Sequence, residues 1–324
     1  MSTPLVSVIV PLYNKRAWIE RALHSIAAQT FTSIEVLVVD DGSTDGSGEV
    51  AASYPDSRFR VIRQENAGPG AARNRGLEEA RAELVAFLDG DDEWLPDYLE
   101  TSVAALEKMG PDVAAVSSSF LNGESEVSSE PVWRARGITE GVHRAHPGMD
   151  PELLVQQLAF MHCCTTVARR RSVLRWGSFY AQDKCRYAED AFLFLQILLN
   201  ENVGFHLPAH MRIHHDAGSL SQNLTTVRAL EPFLEHPQRI EANCPPELRP
   251  LLSQLMALRA FKTACVFGYW GQWRRAAALR RQFRTRGDGQ LPYFWYSWLF
   301  STPFGAAAGN VWRGFTRRSD PPLR

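Results

Sequence analysis

The sequence predicts an α/β fold, a mostly parallel sheet flanked by helices, followed by a helical and aromatic C-terminal region. Three observations carry this. Two continuous apolar, β-branched runs, LVSVIV (5–10) and IEVLVV (34–39), bracket a stretch with helical spacing, which makes a βαβ unit. Both runs are apolar throughout rather than alternating, as strands buried on both faces should be. The 324 residues are 45% hydrophobic and 22% charged, so the chain is long enough and apolar enough to bury a sizeable core.

Taken in order, the first strand ends at Pro11. Over 17–29, Trp18, Ala22, Leu23 and Ile26 recur at three- and four-residue intervals and predict a helix. The second strand ends in DDGSTDGS, where Ser43, Thr44 or Asp45 can cap a further helix. RFRVIRQ (58–64) predicts a third strand, GPGAARNRGLEEARA (68–82) a loop running into a helix, and ELVAFLD (83–89) the next strand. A helix over 97–109 and a strand over 112–120 follow. Residues 121–150, rich in Gly, Ser and Glu, predict a long loop, and 153–161 and 190–199 predict helices. Proline-rich connectors then lead to a helical stretch from about Pro250, so the expected division is 1–225 and 226–324.

Composition narrows the class. Five cysteines (Cys163, Cys164, Cys185, Cys244, Cys265) without CxxC spacing argue against a disulfide framework and a structural zinc site, and favour a reducing compartment. The N-terminus reaches its first apolar run without a basic segment or a small-residue cleavage site, so no secretory leader is expected. Net charge is −1 but unevenly spread: residues 258–324 hold twelve Arg/Lys against Asp288 and Asp320. Two regions with different partners follow from that asymmetry.

The densest chemistry lies in FLDGDDEWLP (87–96). Asp89, Asp91 and Asp92 follow an apolar strand, at the end where open α/β sheets bind ligands. Carboxylates so close repel one another unless a cation intervenes, and hard oxygen donors suit Mg²⁺ or Mn²⁺. Alone, DGDD could equally be a solvated turn; it lacks the ladder of an EF-hand. Asp40 and Asp41 end the second strand, where they could accept from a base N–H or a ribose hydroxyl, or simply cap a helix. GPGAARNRG is not a dinucleotide fingerprint, since its third glycine falls three residues late; its Arg73 lies near a helix start, where a phosphate is welcome. Glu189 and Asp190 open an apolar helix, either as a general base with a raised pKa or as partners of the helix dipole. In MRIHHDAGSLSQN (211–223), His214 or His215 could bind metal or phosphate, or be structural.

The order PLYN, VVDDGSTD, NAGPGAARNRG, FLDGDDEWLPD, AEDAFLFLQ, RIHHDAGSLS resembles the family 2 glycosyltransferases, with their GT-A fold, over about residues 5–222. Six motifs in sequence make the resemblance specific. It implies an inverting transfer of sugar from a nucleoside diphosphate, with a UDP-sugar indicated and TDP left open. Tyr13 would stack on the donor's base, Pro11 would belong to the donor site, Asp41 would read the base with Asp40 beside it, and Arg73 would sit near base and phosphates. Asp89 and Asp91 match the DxD pair; Asp91, Asp92 and His214 would hold Mn²⁺ or Mg²⁺. Asp190 matches the catalytic base, with Glu189 as its partner. The choices between Asp91 and Asp92, and between His214 and His215, stay open.

Beyond the motifs, WGQWRRAAALRRQFRTR (270–286) has helical spacing among arginines, and LPYFWYSWLFSTPFGAAAGNVW (291–312) carries no charge. Dense Trp and Tyr suit a bilayer interface better than its centre, so in-plane attachment to an anionic inner membrane surface is expected, ahead of a packed subdomain or a true span. That places the protein in the cytoplasm, peripheral on the membrane, with a glycan or lipid-linked acceptor and a role in envelope polysaccharide synthesis. Nothing else in the chain supports nucleic-acid binding. The competing readings are a catalytically silent nucleotide-sugar or glycan binding module, against which Asp91 and Asp190 stand, and a sugar-nucleotidyltransferase. The latter would need a basic glycine-rich loop where the chain offers only Lys15 and Arg16.

Overall fold

The structure is a computed structural model that describes residues 3–216, 229–285, 293–305 and 307–308. The expected boundary at 225/226, the end of the RIHHDAGSLS motif and the end of the uncharged stretch at 309–312 lie outside the described residues.

The opening βαβ unit is β1 (Val6–Leu12), α1 (Ile19–Ala27) and β2 (Ile34–Asp40), followed by α2 (Ser47–Ala52), β3 (Phe59–Arg63), α3 (Pro69–Glu79) and β4 (Leu84–Phe87). These strands lie parallel in the order β3-β2-β1-β4. Their apolar runs are unbroken because both faces are covered: Ile9 and Leu37 join one buried cluster, while Val8, Val10, Val36 and Val38 join another. The stripe of α1 buries Ile19, Ala22, Leu23 and Ile26. At α2 the residue before the helix is Gly46, and Asp45 accepts from the Ser47 N–H at 3.0 Å.

The second half is mixed rather than parallel. It comprises β5 (Glu93–Trp94), α4 (Tyr98–Met109), β6 (Val113–Asn122), β7 (Val127–Ser128), α5 (Glu130–Ala135), β8 (Gly141–His143), α6 (Pro151–Phe160), β9 (Thr166–Arg169), α7 (Arg170–Arg175), α8 (Glu189–Asn200) and β10 (Asn202–Ile213). The sheet continues β4-β9-β6-β10-β5, with β9 antiparallel to both of its neighbours. The stretch 121–150, expected to be loop, holds β7, α5 and β8, elements too short for periodicity to reveal.

Downstream lie α9 (Pro232–Glu235), α10 (Pro237–Asn243), α11 (Arg249–Tyr269), α12 (Trp273–Phe283) and α13 (Phe294–Phe300). Leu255 and Met256 of α11 and Ala276, Leu279 and Phe283 of α12 belong to the same buried cluster as Ile9, Phe87 and Phe194. The apolar stripe of α12 is therefore turned into the core and is closed to a bilayer. On α13, Ser297 is buried and Phe294 packs on Phe261 with ring centroids 5.3 Å apart, while Trp295, Tyr296, Trp298 and Leu299 are exposed. Among the described residues no helix is long and apolar enough to cross a membrane.

Candidate active site

The C-terminal ends of β1, β2 and β4 gather three motifs at one edge of the sheet. After β1, Tyr13 is 40% exposed and Pro11 still pairs with Val39 across the β1–β2 ladder. Asn14 stitches this turn to the next: its N–H donates to Ser43 Oγ at 3.1 Å, and its Oδ1 accepts from the Thr44 N–H at 2.9 Å. Asp40 and Asp41 are both buried. Asp40 accepts from the Ser43 N–H at 2.9 Å. Asp41 accepts from Gln64 Nε2 at 2.7 Å and from the N–H groups of Ala67 and Gly68, both at 2.8 Å. Three of its roughly four lone-pair sites thus fasten the loop into α3.

That loop accounts for the GPGAARNRG spacing. Gly68 has φ +92°, and a Cβ on Gly70 would lie 2.2 Å from the Tyr180 carbonyl. Asn74 makes paired bonds to the backbone of Phe179, both at 2.9 Å, so α3 docks the segment that leads into α8. Arg73, itself buried, donates Nη1 to Glu189 Oε1 at 2.8 Å and Nη2 to Asp89 Oδ1 at 2.7 Å. Burial opposes its charge, but the acids around it hold the guanidinium firmly ionised. The sequence placed Arg73 beside a phosphate; in the fold it joins the acidic cluster to the carboxylate pair on α8.

The three aspartates take different partners. Asp91 Oδ2 lies 2.5 Å from Lys15 Nζ. Asp92 is buried, its Oδ1 accepting from the His214 N–H at 3.1 Å. Asp89, Asp92 and Cys164 each bring one ligand atom within 4.8 Å of one another. The expected trio of Asp91, Asp92 and His214 is not assembled here: the Lys15 ammonium takes Asp91, and Glu93 Oε2 holds the His214 ring at 3.0 Å. His215 instead meets Asn122 Oδ1 at 2.6 Å. Burial, and then the charge of its neighbours, pushes Asp91 up and Asp92 well up from the usual carboxylate range. These carboxyls fit a divalent cation, which would supply the positive charge that they lack. The Cys164 thiol, driven far up by burial, is a poor ligand for a hard ion.

Glu189 and Asp190 open α8 behind Ala188, which takes a left-handed φ of 56°. Glu189 is buried and committed to Arg73. Asp190 Oδ1 accepts from the Ala191 N–H at 2.8 Å, whereas among the described residues Oδ2 meets only a weak donor, the Cys163 thiol at 3.7 Å. Burial raises the Asp190 carboxyl and the nearby Arg73 pulls it back in part. Sequence reasoning missed Lys15, Cys163, Cys164 and Glu93 as neighbours of the site. Only Lys15, four residues beyond the end of an apolar strand and close to Tyr13, carried a signal that could have found it.

Comparison with known proteins fits this geometry. The model of the family described as glycosyl transferase family 2 matches residues 7–175. EpsH of Bacillus subtilis, named as a glycosyltransferase, is 49% identical over 102 residues, 31% of this chain and 30% of its own length. TuaG of the same organism, whose name refers to teichuronic acid biosynthesis, is 47% identical over 100 residues, 30% of this chain and 40% of its own. The uncharacterised glycosyltransferase YibD of Escherichia coli is 40% identical over 126 residues, 38% of this chain and 37% of its own. The matched stretches thus span less than half of each relative. Among solved structures, S. aureus TarS 1–349 in complex with UDP-GlcNAc superposes with a TM-score of 0.69 at 19% identity, covering 96% of this chain and 92% of that one. The Pyrobaculum calidifontis mannosyltransferase PcManGT, in complex with GDP-Man and Mn²⁺, gives 0.53 at 21%, covering 97% and 88%. At such identities the likeness is one of fold.

Proposed function

The chain belongs to glycosyl transferase family 2 and has its GT-A fold, so we propose that it moves a sugar from a nucleoside-diphosphate donor, a UDP-sugar, to an acceptor hydroxyl with inversion. The observation that carries this reading is the Asp89–Arg73–Glu189 bridge, which sets an acidic cluster and a carboxylate pair on opposite sides of one guanidinium. Tyr13 offers an exposed ring for the donor's base, and Pro11 and the buried Asp40 and Asp41 are read as donor-site residues beside it in the fold's β1–β2 ladder and strand ends. Asp89, Asp91 and Asp92 would hold Mn²⁺ or Mg²⁺, with His214 behind Asp92. When bound, the ion supplies charge neutralisation at the leaving diphosphate. Asp190 is the base: among the described residues its Oδ2 has only the Cys163 thiol to lose, whereas Glu189 is held by Arg73 and keeps the pair's geometry. Asp190 takes the acceptor's proton as the hydroxyl attacks from the face opposite the diphosphate. Arg73 stays ionised throughout, so it fixes Glu189 and offsets its charge.

The reading is tested by calorimetric titration of UDP, TDP and GDP, each with Mn²⁺ and with EDTA. UDP is expected to bind only with the metal, and Asp91→Asn is expected to weaken that binding at least ~10-fold. Metal-independent binding, or none to any nucleotide, overturns it.

The acceptor is read as a glycan or lipid-linked envelope precursor at the inner membrane surface. The support is the outward face of α13, where Trp295, Tyr296 and Trp298 are each more than half exposed, with Arg274, Arg275, Arg281 and Arg284 on and beside α12 close by in sequence. Aromatic rings at headgroup level beside arginines suit an anionic bilayer. Replacing Trp295 and Trp298 together by Ser is expected to lower binding to vesicles containing phosphatidylserine by at least ~10-fold in co-sedimentation. Equal binding by the variant would detach the acceptor reading from the membrane.

A further inference from the structure

The loop after β1 brings a positive charge to the metal cluster as well as an aromatic ring to the donor side. Lys15 Nζ lies 2.5 Å from Asp91 Oδ2, with the Lys15 side chain 26% exposed and that of Asp91 15%. Lys15 is two residues from Tyr13, and its ammonium also faces the Trp18 ring, 5.5 Å from the centroid. The backbone on both sides is pinned. The Lys15 N–H reaches Ser47 Oγ at 3.4 Å, and the Asp91 carbonyl accepts from Arg21 Nη2 at 2.6 Å. Only the four-carbon stem is left to move.

We propose that Lys15 is a tethered cation that occupies Asp91 until a nucleoside diphosphate arrives, then transfers its ammonium to the diphosphate, so that divalent cation and donor bind cooperatively. This rests on the metal-dependent donor reading above. An ammonium on Asp91 repels a second cation at the same carboxylate. A diphosphate oxygen gives Nζ a charge-assisted acceptor at least as good as the one it leaves. The partner exchange makes the site select the metal and nucleotide together. Lys15 acts through Asp91 and is a positioning residue.

The test is Mn²⁺ binding to the full chain, followed by the electron paramagnetic resonance signal of the free ion, with and without UDP. Without UDP, Lys15→Met is expected to bind Mn²⁺ at least ~10-fold more tightly than the wild type, and the enhancement by UDP should shrink by a similar factor. Lys15→Arg, which keeps the charge, should stay as weak as the wild type. Equal Mn²⁺ affinity of the wild type and Lys15→Met without UDP, with the UDP enhancement intact in both, overturns the proposal and leaves the donor reading standing. A tightened Lys15→Arg also overturns it, since charge would then not be the cause. No Mn²⁺ uptake with UDP in the wild type overturns the donor reading itself, and this inference with it.

Discussion

Asp190→Asn is expected to keep UDP binding within about twofold and to lower turnover at least ~100-fold, the lower bound for loss of a positioned general base. The amide preserves shape and the bond from the Ala191 N–H but cannot accept the acceptor's proton. Calorimetry measures the first quantity and single-turnover transfer the second. The pH profile gives an independent readout. Burial raises the Asp190 carboxyl and Arg73 restrains it only in part, so the rate should fall with decreasing pH as this base takes up a proton, above the usual aspartate range. The variant should show residual activity without that limb. Wild-type turnover in Asp190→Asn would remove Asp190 as the base.

Arg73→Met is expected to cost about 3 kcal/mol of stability, the low end for removing one partner of a buried ion pair. The low end applies because Asp89 is 38% exposed and water can solvate part of its charge, whereas Glu189 at 10% cannot be rescued in that way. Two negative ends would then face each other without the bridge, and Glu189 would pull away from α3. Urea denaturation measures the loss. Arg73→Lys should recover part of it, since an ammonium can meet one carboxylate but lacks the fork that spans both. An unchanged denaturation midpoint in Arg73→Met would mean that the bridge contributes nothing to holding α8 in place.

Much of this site was legible because its residues sit where strands end. Apolar runs located β1, β2 and β4, helical spacing located α1, the stretches read as helical cover α3, α8 and α11, and the acid-rich strand termini marked one edge of the sheet. What stayed hidden depends on contacts distant in sequence. The reversed strand β9 is four residues long and runs straight into three arginines, which gives no alternation to read. Without β9, nothing in the chain places Cys163 near Asp190 or Cys164 near Asp92. Asp91 reads as a metal ligand from its spacing, but its ammonium partner lies 76 residues earlier. The stripe of α12 was legible as amphipathic, yet spacing alone could not say whether protein or lipid covers it.

The reversed strand also orders events during synthesis. In the finished sheet β9 is, among the described residues, the sole link between β4 on one side and β6 on the other. Until residue 169 has left the ribosome, the nascent chain therefore carries a parallel βαβ half and a separate β6 strand, each with an open, apolar edge. The local pairs β1–β2 and β2–β3 can close early, whereas the closing strand must find partners roughly eighty and fifty residues behind it. The two halves of the sheet beneath the candidate site are consequently joined only after β9 emerges, and chains that stop short of it leave open apolar edges that invite aggregation.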